Sequence, residues 1–264
     1  MLGLLAGAGR FPVYIAEMAR AKGYRVTAVG PAGKLEPDLE NYVDKIRTYK
    51  FARLKEFFDI LEQEQIKKAV MAGKIDKRWI YEPDVEVDQM ALDMMKKAPD
   101  MKDDTIMFGF LDALEQRGVE IMAISELGKE WLAPKGSFSK RAPDESQLKD
   151  IEFGFKVAKE IGRIDIGQTV AVLRLAVLAV EAIEGTDLAI IRAGQISPGA
   201  VVVKIMRPGQ SLKFDVPVVG KDTVQTMVQA NASVLAVESG KCLVVEREEM
   251  TALADRNHIA LFGV

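Results

Sequence analysis

The stretch Gly3-Leu-Leu-Ala-Gly7-Ala-Gly9-Arg-Phe-Pro12 decides the fold expected for the first half of the chain. An apolar run over residues 2–6 ends in a glycine turn, and residues 12–22 then place apolar side chains at helical spacing. A strand, a Gly-x-Gly turn and a helix in this order are typical of a parallel α/β sheet. Backbone amides and the helix dipole at such a turn favour a phosphate group. We therefore predict phosphate or nucleotide-sugar contact at Gly7 and Gly9, with a purely structural turn as the alternative.

The dinucleotide-binding fingerprint is nevertheless incomplete. Pro12 replaces its third glycine, and the second predicted strand, residues 24–29, is followed by Gly30-Pro31 rather than by an acidic residue for a ribose hydroxyl. An NAD-linked oxidoreductase is therefore disfavoured.

Strand and helix signals alternate through the first half of the chain. The alternation predicts a Rossmann-like parallel sheet covered by helices. The strands are predicted at residues 46–49, 69–72 and 120–124, and the helices at 54–64, around 90–95 and at 104–117.

A change of composition marks the expected domain boundary. Residues 134–144 hold two prolines, a glycine, two serines and three cations, which is typical of a linker. Beyond it, a helix capped by Asp144 or Ser146 and several apolar runs predict a second α/β domain. The runs at residues 170–182, 201–206, 234–237 and 243–245 are predicted strands. We expect an N-terminal domain at 1–133, a linker at 134–144 and a C-terminal α/β catalytic domain at 145–264.

Composition excludes several functional classes. The chain has 36 Lys and Arg against 39 Asp and Glu, so the net charge of −3 argues against a nucleic-acid partner. Single residues, Cys242 and His258, exclude intrachain disulfides, Cys/His zinc clusters and HExxH proteases. We interpret Cys242 as a buried hydrophobe and His258 as part of a helix-end turn. No P-loop and no Gly-x-Ser-x-Gly elbow occurs.

The apolar stretches predict no membrane span. The longest one, residues 169–183, contains Arg174 and Glu181 and is shorter than a bilayer-spanning helix. The N-terminus lacks the basic leader of a signal peptide. We expect a cytoplasmic protein, and a peripheral contact with the inner membrane surface stays an open alternative.

Acidic residues at predicted element ends are the remaining candidates for chemistry. Asp103 and Asp104 open a predicted helix, where capping is the structural alternative. Asp187, in Glu184-Gly-Thr-Asp187, follows a long apolar run and so lies at a sheet edge. Asp215 stands in the apolar segment Lys213-Phe-Asp-Val-Pro-Val-Val-Gly220, where a carboxylate needs a cation or a hydrogen-bond donor as its partner.

Methionine and aromatic side chains are dense between residues 71 and 110. At helical spacing such residues usually form a core. Their density is also compatible with an adaptable surface for acyl chains.

Several phrases together resemble the LpxI family of UDP-2,3-diacylglucosamine diphosphatases of lipid A biosynthesis. They are the opening glycine stretch, Asp103-Asp-Thr-Ile106, Glu160-Ile-Gly-Arg-Ile-Asp-Ile-Gly-Gln168, Val180-Glu-Ala-Ile-Glu-Gly-Thr-Asp187 and Asp215-Val-Pro-Val-Val-Gly220. They occur in the family's order across nearly the whole chain, and the phrases ending in Gln168 and Asp187 are the most specific.

The resemblance implies an activity, a cofactor and partners. The activity is hydrolysis of the diphosphate of UDP-2,3-diacylglucosamine to UMP and 2,3-diacylglucosamine 1-phosphate (lipid X), with Mg²⁺ required. The family has two domains with the substrate between them, and a homodimer is expected.

The resemblance also assigns Asp215 as the key acid. We expect Asp215, with Asp187 as second candidate, to act in catalysis, either by binding Mg²⁺ or by polarising the attacking water. The substrate-binding candidates are Gly7, Gly9, Asp103, Asp104, Arg163, Gln168, Thr186 and Lys213. A protein with one histidine can perform this reaction because it needs positioning, charge neutralisation and a carboxylate. The alternative is a non-catalytic nucleotide-sugar or dinucleotide sensor.

Overall fold

Five parallel strands form the first sheet of the computed structural model, which describes residues 1–75, 85–97, 103–208 and 210–264, without the side chains of residues 97 and 103–105. The strand order is β3-β2-β1-β4-β5, and every neighbouring pair is parallel. The elements are β1 (Leu2–Ala6), α1 (Phe11–Ala21), β2 (Val26–Pro31), β3 (Lys45–Tyr49), α2 (Leu54–Gln63), β4 (Lys68–Ala72), α3 (Gln89–Lys97), α4 (Asp103–Glu115) and β5 (Glu120–Ile121). This arrangement confirms the Rossmann-like parallel sheet.

The second sheet has six strands in the order β6-β13-β11-β9-β7-β8. Strands β9, β11 and β13 are parallel, whereas β6, β7 and β8 pair antiparallel with their neighbours. The elements are β6 (Gly136–Ser137), α5 (Glu145–Arg163), β7 (Thr169–Leu173), β8 (Ala176–Val180), α6 (Thr186–Ile196), β9 (Val201–Lys204), β10 (Val218–Val219), α7 (Lys221–Gln229), β11 (Val234–Val237), β12 (Leu243–Val244), α8 (Arg247–Arg256) and β13 (Ala260–Gly263). The predicted second α/β part is therefore confirmed.

Contacts divide the chain into two units. The N-terminal unit comprises Met1–Gly128 and the short segment Lys213–Asp215, and the C-terminal unit comprises Lys129–Leu212 and Val216–Val264. Residues 134–144, interpreted from composition as a linker, lie in the C-terminal unit, where β6 pairs with β13. The domain boundaries themselves stay a prediction.

Local sequence signals explain the start of the longest helix. The carboxylate of Asp144 accepts a hydrogen bond from the amide of Gln147 at 2.9 Å, and the side chain of Gln147 accepts one from the amide of Asp144 at 3.1 Å. This reciprocal capping satisfies amides that the first turn of a helix leaves unpaired. The predicted cap at Asp144 is confirmed.

One predicted strand is instead a hairpin. Residues 170–182 form β7 and β8, joined by Arg174 and Leu175 in the left-handed region, with φ of 52° and 62°. The buried carboxylate of Asp150 in α5 accepts hydrogen bonds from both of their amides, at 2.8 and 2.6 Å. The turn residues are neither glycine nor asparagine, which usually favour such a turn. The carboxylate of Asp150, in a distant element, stabilises the turn instead, so the sequence around the turn does not predict it.

Apolar side chains cover both faces of the second sheet. Val170, Val172 and Val203 belong to a buried cluster that includes Ile151 and Ala158 of α5. On the opposite face, side chains of α7 and α8 pack with those of β9, β11 and β13. Within the described residues, no helix is both long and apolar enough to cross a bilayer.

Candidate functional site

The glycine turn after β1 is held by backbone contacts within the protein. The amide of Gly7 donates to the carbonyl of Ala72, and the amide of Ala8 donates to the carbonyl of Lys74, each at 2.8 Å. A Cβ atom on Gly7 would lie 2.5 Å from that Lys74 oxygen, so glycine is needed for this close approach. Two amides that a phosphate would use are therefore engaged, which favours the structural alternative at Gly7.

Gly9 has different surroundings. Its φ of +85° lies in the left-handed region, and a Cβ atom placed on it would meet no described atom within 4 Å. Glycine adopts this conformation without the steric cost of a side chain. Of the two glycines predicted to contact a phosphate, Gly9 is the one with open space beside it.

A row of polar side chains crosses the second sheet where β9 ends. Thr169 of β7 pairs directly with Lys204 of β9, and the amide of Glu181, just after β8, donates to the carbonyl of Thr169. Residues directly opposite in antiparallel strands place their side chains on the same face. Lys204, Thr169 and Glu181 are therefore neighbours on one face, at the carboxyl end of β9. Sites in open α/β sheets are found at this end of parallel strands.

Thr186, the first residue of α6, connects the two charges of this row. The ammonium of Lys204 donates to the hydroxyl oxygen of Thr186 at 3.0 Å, and that hydroxyl donates to the carboxylate of Glu181 at 2.9 Å. Lys204 is only 7% exposed and Glu181 only 8%. A buried charge is costly unless it is paired and hydrogen-bonded, so this bridge stabilises both groups. We call Gln168, Thr169, Glu181, Thr186 and Lys204 the polar row.

The polar row contains buried acceptors with no partner among the described residues. They are Oε1 of Gln168, Oγ1 of Thr169 and Oε2 of Glu181. Buried polar atoms in proteins are normally satisfied by protein groups, water or ligand. The chemistry of this row therefore suits a group that donates hydrogen bonds.

A second buried carboxylate fixes the neighbouring strand ends. Glu238, which follows β11, accepts hydrogen bonds from Lys159 at 2.7 Å, Lys241 at 2.9 Å and the amide of Met206 at 3.0 Å. Burial by itself would raise the pKa of Glu238, but the hydrogen bonds outweigh burial and the pKa is lowered. Glu238 is therefore held as a carboxylate that joins α5 to the ends of β9 and β11.

Asp187 lies next to the polar row. It is the second residue of α6, and its exposed carboxylate makes no hydrogen bond or ion pair with a described residue. Gly185, before the helix, has a φ of 85° and provides no side-chain cap. A carboxylate in the first turn is stabilised by the helix dipole and is accessible to a cation from solvent.

Asp215 lies in a turn rather than in the extended segment expected from the sequence. Its φ of 51° is in the left-handed region, and its side chain is exposed. The flanking Phe214 and Val216 are only 5% and 7% exposed, so two buried apolar anchors hold the acid outward. A left-handed conformation is costly for a residue with a side chain, and such strain is concentrated at functional sites.

The other predicted site residues have varied surroundings. Gln168 and Thr186 both belong to the polar row, so the structure brings these two together. Arg163 ends α5 and its guanidinium pairs with Glu160 at 3.1 Å in an exposed position. Lys213 is exposed and belongs to the turn of Asp215. Asp103 and Asp104 begin α4, but their side chains lie outside the described part of the chain.

The two rare residues behave as interpreted from the sequence. Cys242 is fully buried, and burial raises the pKa of its thiol to about 12, so the thiolate needed for nucleophilic chemistry is not formed. His258 has a φ of 55° just beyond α8, and its carbonyl accepts a hydrogen bond from Arg141. Cys242 is therefore a buried core residue, and the cited contact of His258 is made by its backbone in the turn after α8.

Sequence reasoning missed three members of the buried charge arrangement as site residues: Glu181, Lys204 and Glu238. Each directly ends or follows an apolar strand run, as in Val201-Val-Val-Lys204 and Val234-Leu-Ala-Val-Glu238. A charged residue at the end of such a run was the available signal, because carboxyl ends of parallel strands gather at one edge.

The described residues contain no group of three or more His, Cys, Asp or Glu side chains that could hold a metal ion. Mg²⁺ does not need such a group, since it usually keeps several waters and binds through one or two carboxylates and substrate phosphates. Asp187 in the C-terminal unit and Asp215 in the N-terminal unit each carry an exposed carboxylate, a hard oxygen donor of the kind this ion prefers. The donor chemistry therefore fits Mg²⁺.

Fold and site together define a two-part α/β protein with its polar groups at strand ends, and the chain belongs to the LpxI family. Residues 1–131 match the LpxI N-terminal domain and residues 134–262 match the LpxI C-terminal domain. A relative from Caulobacter vibrioides is named UDP-2,3-diacylglucosamine pyrophosphatase LpxI. It is 30% identical over 279 residues, covering 100% of this chain and 97% of the relative. The resemblance found in the sequence is confirmed.

Proposed function

We propose that this protein hydrolyses the diphosphate of UDP-2,3-diacylglucosamine in lipid A biosynthesis, releasing UMP and 2,3-diacylglucosamine 1-phosphate. The support is the family membership along both halves of the chain and the name of the relative, a UDP-2,3-diacylglucosamine pyrophosphatase. The observation that carries the proposal is the left-handed turn at Asp215, which presents a carboxylate to solvent between two buried anchors.

Mg²⁺ is the cofactor in this proposal. Asp215 and Asp187 are the two candidates to hold it, each considered by itself, because each carboxylate is exposed. When bound with the substrate, the ion neutralises negative charge on the phosphate oxygens.

The chain's own residues have separate roles in the proposed reaction. The carboxylate of Asp215 orients the attacking water or holds the ion. Lys213, in the same turn, provides a positive charge beside a diphosphate. Gly9 offers backbone space for a phosphate oxygen, as its open surroundings allow. Thr186 stays a proposed substrate contact, and its hydroxyl also accepts from Lys204 and donates to Glu181.

The test is UMP release from UDP-2,3-diacylglucosamine by the purified full chain, with Mg²⁺ and with EDTA. Asp215→Ala and Asp215→Asn are expected to lose roughly 10²- to 10⁴-fold in kcat while the circular dichroism spectrum is unchanged. Asp222→Ala is the matched control, because Asp222 is an exposed carboxylate in the first turn of α7.

Three results would contradict parts of the proposal. Near-normal activity of Asp215→Ala removes Asp215 from catalysis, and full activity in EDTA removes the metal. Binding of intact substrate without UMP release favours the sensor alternative.

A further inference from the structure

An aromatic pair joins helix α4 to the segment that carries Asp215. The rings of Phe108 and Phe214 meet edge to face, with centroids 5.6 Å apart and an angle of 87° between their planes. Both residues belong to the N-terminal unit, because Lys213–Asp215 is grouped with Met1–Gly128. Aromatic pairs favour this geometry, which stabilises a structure beyond the burial of apolar surface. The contact therefore holds the ring that immediately precedes the proposed catalytic acid.

Core packing does not account for Phe108. The residue is 51% exposed, whereas Phe214 is only 5% exposed. The core of the N-terminal unit is packed instead by Phe110, two residues further along α4, whose ring centre lies 5.3 Å from that of Phe57 and 6.2 Å from that of Phe58. Helix α4 therefore carries one aromatic residue that packs the core and another whose ring contacts Phe214.

The backbone at Asp215 needs support from its neighbours. Its φ of 51° lies in the left-handed region, which is sterically costly for a residue with a Cβ atom. Such a conformation persists only where the surrounding structure holds it. Phe214 is the adjacent residue, so the position of its ring constrains the backbone on one side of the turn. A shift of that ring redirects the exposed carboxylate of Asp215.

We infer that Phe108 is a positioning residue for the carboxylate of Asp215. Its ring holds Phe214, and Phe214 holds the left-handed turn in the conformation that presents the acid. The inference rests on the proposed function, because the role of Asp215 in hydrolysis comes from there. Phe108 does not touch the reacting atoms in this account, so its loss lowers the rate of the chemical step more than it weakens substrate binding.

Two substitutions at residue 108 and one control separate this role from a purely structural one. Phe108→Leu removes the ring and keeps an apolar side chain with good helix propensity. Phe108→Tyr is the conservative variant, because it keeps an aromatic ring. Phe110→Leu is the matched control, since it removes a ring from the same helix that contacts Phe57 and Phe58 in the core.

The first experiment measures UMP release from UDP-2,3-diacylglucosamine with Mg²⁺. Phe108→Leu is expected to lower kcat roughly 10- to 100-fold, because a misplacement of a reacting group by about 1 Å costs on the order of 10²-fold. Its KM should change less than about twofold. Phe108→Tyr should restore most of the lost kcat. Phe110→Leu should keep the wild-type kcat although it lowers the urea midpoint at least as much as Phe108→Leu.

A second comparison shows whether Phe108 acts through Asp215. In an Asp215→Asn background, Phe108→Leu should cause no further loss of kcat, because the carboxylate that it positions is already gone. Non-additivity of this kind identifies residues that act as a unit. A further loss of the same size in that background means that Phe108 acts independently of Asp215, which overturns the inference.

Hydrogen exchange gives a readout that does not need turnover. Amides of residues 213–216 should exchange faster in Phe108→Leu than in the wild-type protein, because the turn opens locally more often. Their exchange in Phe110→Leu should stay at the wild-type rate. Equal exchange in Phe108→Leu and wild type contradicts the proposed support of the turn.

Failure of the inference and failure of the proposed function are distinguishable. If the wild-type chain releases no UMP, the proposed function fails, and a positioning role in hydrolysis fails with it. If the wild type is active and Phe108→Leu keeps its kcat, the inference alone is overturned. A raised KM with unchanged kcat also overturns it, because that pattern indicates direct contact of Phe108 with the substrate.

Discussion

The ammonium of Lys204 lies 3.0 Å from the hydroxyl oxygen of Thr186, and this contact joins the end of β9 to the first residue of α6. Because the same hydroxyl donates to Glu181 at 2.9 Å, one small side chain separates and stabilises two buried charges. Removing this bridge therefore leaves both buried charges without their side-chain hydrogen-bond partner among the described residues.

Thr186→Val is therefore expected to destabilise the protein by about 2–3 kcal/mol, because hydrogen bonds to charged groups are lost while the volume is kept. Thr186→Ser retains the hydroxyl and should cost less than about 1 kcal/mol. Urea unfolding measures both values. Thr226→Val is the control, because the hydroxyl of Thr226 donates to the backbone carbonyl of Asp222 at the protein surface and bonds to no charged group among the described residues. A loss in Thr186→Val no greater than in this control contradicts the bridge.

The sequence predicted the parallel sheet and a strand at residues 201–206, where the structure has β9 at Val201–Lys204, because apolar runs and their spacing depend on local residues alone. It did not predict that Lys204 would be buried. The partners of Lys204 come from β7, the end of β8 and α6, and only the strand order β9-β7-β8 brings them together. Side-chain pairing across distant elements has no local periodicity, which is why the polar row was only partly found.

The hairpin of β7 and β8 also depends on a side chain from a distant element, Asp150 of α5. Its buried carboxylate accepts from the amides of Arg174 and Leu175, both in the left-handed region. Asp150→Ala should destabilise the protein by about 2 kcal/mol, because two turn amides lose a charged acceptor. Asp150→Asn should cost less, since one amide keeps a carbonyl acceptor. Thermal unfolding gives the comparison, and equal stability of Asp150→Ala and wild type would show that the turn forms without this carboxylate.

Glu238 predicts a dependence of stability on pH. Its pKa is lowered in the folded protein, where Lys159, Lys241 and the amide of Met206 stabilise the carboxylate against the cost of burial. A lowered folded-state pKa adds stability above the unfolded-state pKa of about 4.3, and that stability is lost as the pH falls through the folded-state value. The difference in unfolding free energy between wild type and Glu238→Gln should be constant near neutral pH and shrink in acid. A difference that grows in acid has the wrong sign for this account.

Gly7 and Gly9 differ in their surroundings. Gly7 is closely packed against the backbone, whereas Gly9 has open space beside it. Gly7→Ala places its Cβ 2.5 Å from the carbonyl oxygen of Lys74, so the contact between the ends of β1 and β4 must open. We expect a loss of about 3 kcal/mol, the upper range for overpacking at a tight site. The Cβ atom of Gly9→Ala meets no described atom within 4 Å. The left-handed φ of +85° alone should destabilise this variant, by about 1 kcal/mol.

The two variants are therefore expected to change different quantities, stability in Gly7→Ala and KM in Gly9→Ala. Gly7→Ala should lower the urea midpoint strongly, whereas Gly9→Ala should fold and show a raised KM if its backbone approaches a phosphate oxygen. Unchanged KM in a folded Gly9→Ala protein would remove Gly9 from substrate binding. A normal midpoint for Gly7→Ala would show instead that the loop after β4 moves aside easily, and the engaged amides of Gly7 and Ala8 would then become available to a phosphate.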